Sequence, residues 1–277
     1  MMQKRYYYIN NQFIESTKAM IPFNDSGFLY GDGLFETMRF DDRRIFSIEK
    51  HLSRLTKGLD TISLNLNKSI NDLSDLLNKV IEKNNLNSGI IRLMITRGDL
   101  SIENSKEMMP SIYISIKPFY TIPENAVKVM YLNEKKYPII RYNPAIKSMN
   151  YIGNMLAKKD ADSQGAYEPI FYNKDGLITE CAIRNIFYIK NSEVLTPSLD
   201  LGILSGVMRE TIIDVVKSMG LNCKETHIKL SDTKTMDEAF LSSTGIGLLP
   251  CNWEEWNSDF VITNQIKKEL FKRINNT

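Results

Sequence analysis

The chain has 277 residues, 43% hydrophobic and 25% charged, which is the composition of an ordinary globular protein with a sizeable core. Lysine and arginine (35) outnumber aspartate and glutamate (33) by only two and form no basic stripe, which excludes a typical nucleic-acid-binding protein. No apolar run reaches membrane-spanning length, and the N-terminal segment lacks the apolar core of a signal peptide. Three widely spaced cysteines give neither a disulfide framework nor a metal-ligand pattern. We therefore expect a cytoplasmic protein that binds neither nucleic acid nor a membrane and holds no metal ion.

Residues 1–118 make up the first predicted domain. Alternating apolar residues predict strands, and apolar residues spaced three and four apart predict helices. The predicted strands are Tyr6–Ile9, Gln12–Glu15, Leu34–Phe40, Arg44–Ser47, Ile90–Thr96 and Ser111–Lys117, and the predicted helices are Ile48–Leu59 and Ile70–Asn84. Both patterns lapse between two prolines, which predicts a linker over residues 119–124. The second predicted domain is 125–277.

Two features of the first domain indicate a possible binding site. Gly27, Gly31 and Gly33 lie within seven residues, which predicts a tight loop whose backbone approaches another group closely. Because neither common nucleotide-binding glycine pattern is present, a structural loop is the commoner explanation. His51 and Arg54 lie three apart on one helix flank and can face one site, although a solvated arginine and a satisfied histidine are the simpler interpretation.

The second predicted domain also mixes strands and helices. The predicted strands are Val127–Leu132, Glu168–Tyr172, Leu177–Cys181, Asn185–Ile189, Val194–Thr196 and Asp237–Leu241. The predicted helices run from a cap at Asn150 to Gly165, from the Gly206 loop to Gly220, and over Asp259–Ile274.

Lys147 stands at the entry to the first of these helices. One face of that helix carries Tyr151, Ile152, Met155 and Leu156. A lysine that is partly desolvated at such a position can supply the nucleophilic amine that a Schiff base requires. From spacing alone the simpler interpretation is stronger, namely one solvated side chain among the 35 lysines and arginines.

Two loops have the composition of a phosphate site. Residues 199–209 contain glycines and open directly into a helix, whose N-terminal N–H groups and positive dipole end suit a phosphate. An ordinary N-cap at Ser205 explains the same segment equally well. Residues 242–245, Ser-Ser-Thr-Gly, offer hydroxyl and N–H groups to further phosphate oxygens, and an ordinary turn is the alternative.

Taken together, these segments resemble the fold-type IV pyridoxal-phosphate enzymes, the class IV aminotransferase family. The resemblance extends from about Tyr8 to about Pro250 and rests on seven short motifs in the order of the family. They are Tyr-Gly-Asp-Gly-x-Phe-Glu from Tyr30, His-x-x-Arg-Leu from His51, Lys-Ser-x-Asn from Lys147, Thr-Glu from Thr179, Asn-x-Phe from Asn185, Leu-x-Gly-x-x-Arg from Leu204, and Ser243-Thr244. Each motif is weak alone, but seven in order are highly specific.

The resemblance implies a two-domain fold of the α/β (α+β) class, with a small N-terminal α/β domain and a larger β-barrel-like C-terminal domain with helices. It also implies pyridoxal 5′-phosphate as the cofactor, a small-molecule amino substrate and a homodimer. Lys147 matches the lysine that binds the cofactor as a Schiff base and moves the proton, and Glu180 matches the carboxylate beside the pyridine nitrogen. The other matched cofactor residues are Arg54, Val207, Met208, Ser243 and Thr244 at the phosphate, Leu204 on the ring face, and Tyr151.

Within the family the chain looks most like the aminodeoxychorismate lyases, which release pyruvate and form 4-aminobenzoate. The segments 35–39 and 179–181 are lyase-like, and the Arg-x-His pair typical of D-amino acid aminotransferases is missing after Arg97. The resemblance implies Thr37 as a proton donor and Phe35, Arg39 and Arg97 as substrate-binding residues. The alternative is a branched-chain or D-amino acid aminotransferase with 2-oxoglutarate as acceptor, and a catalytically silent cofactor-binding scaffold is a third possibility.

Overall fold

The computed structural model describes residues 4–101 and 109–275 and divides the chain into two compact units. Unit 1 takes in Met1–Tyr120 together with Ile146–Asn150, and unit 2 takes in Thr121–Ala145 and Tyr151–Thr277. The sequence placed all of 125–277 in one domain. The short segment that carries Lys147 belongs instead with unit 1, because its backbone pairs with a strand of that unit.

Unit 1 contains one antiparallel sheet covered by two helices. Its elements are β1 (Tyr6–Ile9), β2 (Gln12–Glu15), α1 (Ser26–Tyr30), β3 (Gly33–Asp41), β4 (Arg44–Ile45), α2 (Ile48–Thr61), α3 (Ile70–Asn84), β5 (Gly89–Thr96) and β6 (Ser111–Lys117). The strand order is β2-β1-β6-β5-β3-β4. The predicted strands and the two long helices are confirmed to within two residues at each end, because their apolar residues recur with a regular period.

The two faces of strand β3 have different surroundings. Its core-facing side chains are Leu34, Glu36, Met38 and Phe40, and its opposite face carries Phe35, Thr37 and Arg39. The core side packs against α2, whose Leu52 is fully buried. Burial of a leucine of this kind contributes roughly 1.5–3 kcal/mol to stability. Packing therefore fixes which β3 side chains enter the core and which lie on the other face.

A five-residue helix, α1, interrupts the glycine-rich segment for which the sequence predicted a loop. Asp25 caps it by accepting the N–H groups of Gly27 and Phe28 at 2.9 and 3.3 Å. The same carboxylate, which is 1% exposed, accepts the hydroxyls of Thr96 and Tyr113 at 2.7 Å each. A single buried carboxylate thus ties the segment before β3 to strands β5 and β6.

Unit 2 is built on a second, mixed sheet. Its elements are β7 (Val127–Asn133), α4 (Ile152–Ser163), β8 (Glu168–Tyr172), β9 (Ile178–Cys181), β10 (Asn185–Lys190), β11 (Glu193–Pro197), α5 (Val207–Ser218), β12 (Cys223–Thr226), β13 (Glu238–Ser243), β14 (Gly247–Asn252) and α6 (Val261–Asn275). The strand order is β12-β11-β10-β13-β14-β7-β8-β9. Strand β9 also lies near β10 and β11, so the sheet curls towards a barrel.

The orientation of helix α4 differs from the prediction. Its buried residues are the small Gly153, Ala157 and Ala161, spaced four apart, whereas Ile152 and Met155 are 64% and 53% exposed. Small residues let a helix approach a sheet closely, so α4 packs on β8 through its smallest side chains. The predicted N-cap at Asn150 is also wrong, since the N-cap residue is Tyr151.

Strands β12 and β14 were not predicted from the sequence. Strand β12 is an edge strand with the polar sequence Cys-Lys-Glu-Thr, which has no apolar alternation. Strand β14 begins at a glycine and contains Pro250, both of which argue against a strand. In the described part of the chain no helix is both long and apolar enough to cross a membrane.

Asp25 gives a stability prediction. In Asp25→Ala the two hydroxyls and two N–H groups lose their acceptor, and buried donors left without a partner cost about 1–3 kcal/mol each. We expect the free energy of unfolding, measured by urea denaturation, to fall by about 4 kcal/mol, the lower end of this range for four donors. The matched control is Asp72→Ala, at the exposed capping box of α3, which costs about 1 kcal/mol. Equal losses in the two variants would contradict a special role for Asp25.

Candidate active site

Lys147 is held at the edge of strand β3 by backbone hydrogen bonds. The N–H of Phe35 donates to the carbonyl of Lys147 at 3.0 Å, and the N–H of Met149 donates to the carbonyl of Gly33 at 2.9 Å. An isolated bridge joins Leu34 to Ser148 between them. The Nζ atom of Lys147 lies 4.7 Å from the centroid of the Phe35 ring. This pairing places the amine beside the Phe35 ring of β3.

The same face of β3 carries a hydroxyl and two cations. Thr37 follows Phe35 by one strand repeat, and the strand register places Arg92 of β5 directly opposite Thr37. The Cζ atom of Arg92 lies 4.1 Å from the centroid of the Phe35 ring. Arg39, the next residue on this face, pairs with Asp41 at 2.7 Å. The face therefore combines an amine, a hydroxyl and two guanidinium groups.

A buried ion-pair cluster surrounds Glu36, and the positive charge of Lys147 acts on its His51. Glu36 accepts from Nε and Nη2 of Arg54 at 2.8 and 2.7 Å and contacts Nδ1 of His51 at 2.7 Å. Burial opposes the charge of Glu36, but Arg54 and His51 together outweigh it and lower the pKa of Glu36 to about 2. Burial lowers the pKa of His51, so its neutral form is favoured. His51 and Arg54 thus both contact Glu36, the last residue of the Tyr30 motif, for which the motif predicted no role.

The pKa of Glu36 has a defined consequence for stability. Because the pKa is lower in the folded chain than its ordinary value of 4.5, the stabilisation is fully present above pH 4.5. It is lost as pH falls through about 2, the pKa in the folded state. A shift of this size corresponds to roughly 3 kcal/mol. The sequence signal for Glu36 is a charged residue at a core-facing position of an alternating strand.

Arg97 has contacts of a different kind. Its guanidinium pairs with Asp32, with Nε to Oδ2 at 2.7 Å and Nη2 to Oδ1 at 3.2 Å. It also donates to the carbonyls of Ile62 and Ser63, just after helix α2. Arg97 therefore joins the end of β5 to the glycine-rich segment and to α2.

In unit 2, Glu180 belongs to a second polar cluster. Its Oε1 pairs with Arg141, and its Oε2 accepts the N–H of Leu204 at 3.1 Å. Arg141 also pairs with Glu134 at 2.9 Å and donates to the hydroxyl of Thr179 at 3.0 Å. Arg141 and Glu134 were missed because they lie 39 and 46 residues before Glu180, and a contact between residues so distant in sequence has no local pattern.

The start of helix α5 is open to an anion. Gly206 is its N-cap residue, and within the described chain no side chain caps its first turn. Ser205, the N-cap in the simpler interpretation, donates instead to Glu210 at 2.7 Å. A Cβ atom on Gly206 would lie 2.1 Å from Oδ1 of Asn185, so a larger residue fits there only if the Asn185 side chain moves. The N–H groups of Val207 and Met208 lie in this first turn, for which no side-chain cap is seen among the described residues.

Strand β13 ends close to this helix start. Asn185, which contacts Gly206, is paired in register with Ser242, and α5 packs on β13. The hydroxyl of Ser242 is fully buried and has no hydrogen-bond partner among the described residues. Ser243 and Thr244 follow directly, and Thr244 is 9% exposed. Hydroxyl groups and helix N–H groups thus occur in one part of unit 2.

The chain matches known proteins over most of its length. Residues 33–252 match the model of the amino-transferase class IV family. The chain is 32% identical over 253 residues to a D-alanine aminotransferase of Listeria monocytogenes, covering 87% of this chain and 85% of that protein. It is also 32% identical over 253 residues to the aminodeoxychorismate lyase of Bacillus subtilis, covering 88% of this chain and 84% of that protein.

A solved structure confirms the expected fold. The branched-chain amino acid aminotransferase of Escherichia coli superposes with a TM-score of 0.88 at 23% identity, covering 98% of this chain and 95% of that chain. The expected two-domain α/β architecture with a curled second sheet is therefore confirmed.

His51 gives a pH prediction. Its pKa is lower in the folded chain than the ordinary value of 6.5, so below pH 6.5 the unfolded chain binds a proton that the folded chain does not. We expect the free energy of unfolding to fall as pH is lowered from 7 to 5, by up to about 1.4 kcal/mol per pH unit. In His51→Asn this part of the slope should disappear.

The control uses the second histidine of the chain. His227 is exposed and contacts Asp200 at 2.8 Å. We expect His227→Asn to keep the slope that His51 causes. An unchanged slope in His51→Asn, measured by urea denaturation at each pH, would contradict the assignment of a neutral buried His51.

Proposed function

The chain belongs to the class IV aminotransferase family of pyridoxal-phosphate enzymes, and we propose that within this family it is a 4-amino-4-deoxychorismate lyase. In this reaction the substrate loses its enolpyruvyl group as pyruvate and its ring becomes 4-aminobenzoate. The observation that carries the proposal is the common face of β3, where Thr37 and two arginines share the side on which Lys147 lies.

The residues of the chain fit the cofactor. The open start of α5, the buried hydroxyl of Ser242 and the glycine at position 206 suit a phosphate, which helix N-termini bind through N–H groups. We propose Val207, Met208, Ser243, Thr244 and Arg54 as phosphate ligands. Lys147 is proposed as the covalent anchor, Glu180 as the partner of the ring nitrogen, and Leu204 and Tyr151 as ring contacts.

Lys147 is proposed as the group that moves the proton. Pyridoxal phosphate, when bound, supplies an electron-accepting ring that makes the C–H next to the substrate amine acidic. Lys147 then takes that proton as a general base, for which its position beside the open face of β3 is suitable. Phe35 contributes the apolar surface against which the lysine amine lies, and it limits the access of water to that amine.

Thr37 is proposed as the acid for the leaving group. When the bond between the ring carbon and the enolpyruvyl oxygen breaks, negative charge develops on that oxygen. A hydroxyl on the same face as Lys147 can donate a proton to it. The proton that Lys147 removes from carbon balances the proton given to the leaving group, so the step needs no oxidant and no co-substrate.

The two arginines of this face suit the two carboxylates of the substrate. Arg92 lies opposite Thr37, and Arg39 lies one strand repeat further along β3. Guanidinium groups bind carboxylates with two parallel hydrogen bonds. We therefore propose Arg39 and Arg92 as carboxylate anchors. Arg97 is a less direct candidate, because its guanidinium binds Asp32 and two backbone carbonyls, whereas Arg39 would exchange one exposed partner, Asp41, for the substrate carboxylate.

An aminotransferase is the second candidate. The D-alanine aminotransferase of Listeria is as similar to the chain as the lyase of Bacillus, at 32% identity each. The two reactions share the proton removal by Lys147 and differ in the next step, because the aminotransferase has no leaving group to protonate. It would therefore not depend on Thr37.

A catalytically silent scaffold would show no turnover in either assay and is disfavoured because Lys147 and Glu180 are both present.

We also propose a cytoplasmic homodimer. Exposed apolar side chains surround α1 in unit 1, namely Met20, Ile21, Phe23, Phe28, Leu29 and Tyr30. Clusters of this kind mark protein interfaces. The three cysteines are free, which suits a reducing compartment. Light scattering should give twice the 31.9 kDa of the chain, and a monomer at micromolar concentration would contradict the dimer.

The products distinguish the two candidate reactions. The enzyme loaded with pyridoxal phosphate is incubated with 4-amino-4-deoxychorismate and no keto acid, and we expect 4-aminobenzoate and pyruvate in equal amounts. Amino-group exchange between an amino acid and 2-oxoglutarate, with no 4-aminobenzoate formed, would establish the aminotransferase instead.

Substitutions at Thr37 test its role in the lyase. We expect Thr37→Val to lower kcat by about 100-fold, the usual contribution of a positioned acid, and Thr37→Ser to retain most of it. Substrate binding should change little in both variants, since the hydroxyl acts mainly on the departing oxygen. A Thr37→Val variant as fast as Thr37→Ser would remove Thr37 from the mechanism.

A further inference from the structure

The cluster around Glu180 contains more charge than one ion pair. Glu134, Arg141 and Glu180 are 18%, 21% and 15% exposed, so water screens them only partly. Arg141 lies between the two carboxylates and pairs with both. Thr179 donates its hydroxyl to Glu134 at 3.3 Å and receives a hydrogen bond from Arg141 at 3.0 Å. The three ionised groups therefore form one charged triad, and Thr179 is hydrogen-bonded to two of its members.

The net charge of this triad is −1. Burial opposes the charge of Arg141, but Glu180 and Glu134 outweigh it and raise the pKa of the guanidinium, so the group stays charged. One positive charge is then shared between two negative ones. A partly buried excess of negative charge stabilises a cation placed next to it. Glu180 also contacts the loop before α5, through the N–H of Leu204.

We propose that Glu134 and Arg141 are positioning residues that set the charge that Glu180 presents to the ring nitrogen of the cofactor. This inference rests on the proposed function, in which Glu180 is the partner of that nitrogen. Arg141 orients the carboxylate through Oε1, while Leu204 holds Oε2. Glu134 neutralises Arg141, so the negative charge of Glu180 is left for the ring nitrogen.

Removal of Glu134 alone has a predictable effect. In Glu134→Gln the amide oxygen still accepts the hydrogen bonds of Arg141 and Thr179, but the charge is gone. Glu180 is then the one carboxylate that neutralises Arg141, so the net charge of the triad becomes zero. A neutral triad stabilises a protonated ring nitrogen less than an anionic one. At the separations within such a cluster, one unit charge changes an equilibrium by roughly tenfold.

The experiment compares two ligands of the apoprotein. One is pyridoxal phosphate, and the other is its 1-deaza analogue, in which a C–H group replaces the ring nitrogen. Dissociation constants are measured by fluorescence titration, and their ratio isolates the contribution of the ring nitrogen. We expect Glu134→Gln to reduce the preference for pyridoxal phosphate by roughly tenfold, with the affinity for the deaza analogue unchanged within about twofold.

A double variant separates charge from structure. Glu134→Gln combined with Arg141→Gln restores the net charge of −1, carried by Glu180 alone. We expect it to recover the preference to within about threefold of the wild type, which a purely structural defect would not allow. Glu255→Gln, at an exposed position of unit 2, is the control for a general loss of negative charge, and we expect it to leave the ratio unchanged.

Two outcomes would overturn the inference. A preference unchanged in Glu134→Gln would show that this residue does not act on Glu180, and a double variant as weak as Glu134→Gln would show that charge is not the cause. Glu180→Gln distinguishes this failure from failure of the proposed function. If Glu180→Gln also leaves the ratio unchanged, then Glu180 is not the partner of the ring nitrogen, and the proposed site itself is wrong.

Discussion

The arrangement of the candidate site depends on the backbone pairing between strand β3 and the segment that carries Lys147. Two hydrogen bonds and one bridge join residues 147–149 to residues 33–35. Strand β4 covers the other end of β3, at Phe40 and Asp41, so this stretch of its edge is where the segment can pair. Because these contacts involve only the backbone, the proposed reaction at the amine of Lys147 would leave them intact.

Strand β3 connects this pairing to the core. Alternation along a strand sends neighbouring side chains to opposite faces, so Phe35 lies beside the lysine while Glu36 enters the core side. A buried carboxylate is costly unless it is paired and hydrogen-bonded. Arg54 and His51 of α2 supply both, and α2 is thereby fixed in register with the strand. Arg54, the proposed phosphate ligand, and Lys147, the proposed anchor, are thus both positioned through the same nine-residue strand.

The parts of the fold that follow a regular apolar period could be predicted from the sequence. Helix α3 and strand β6 were predicted with their observed bounds, and α2 within two residues. Helix α1 was missed because five residues with an internal glycine show no period, although Asp25 is a good cap. Helix α4 was predicted at the right place with the wrong face, since its buried residues are small and its large apolar ones are exposed.

The candidate site was only partly visible in the sequence. Short motifs identified Lys147, Arg54 and Glu180, because each lies in a local pattern shared with a family. The partners that hold these residues received no role from the motifs, since Glu36 appeared only as the last residue of the Tyr30 motif and Arg141 lies in none of the seven. Their roles depend on tertiary contacts, such as the pairing of Arg141 with Glu180, 39 residues further along the chain. A local sequence motif indicates which side chains are candidate reactive groups. The charges that surround those groups are seen only in the folded structure.

The most direct test of this account is the site of covalent attachment. The protein loaded with pyridoxal phosphate is treated with borohydride, which makes the bond between lysine amine and cofactor aldehyde permanent, and the digested chain is analysed by mass spectrometry. We predict a single phosphopyridoxyl group, on Lys147, and none on any lysine of the Lys147→Ala variant. Labelling of a different lysine, or equal labelling of the variant, would contradict the account.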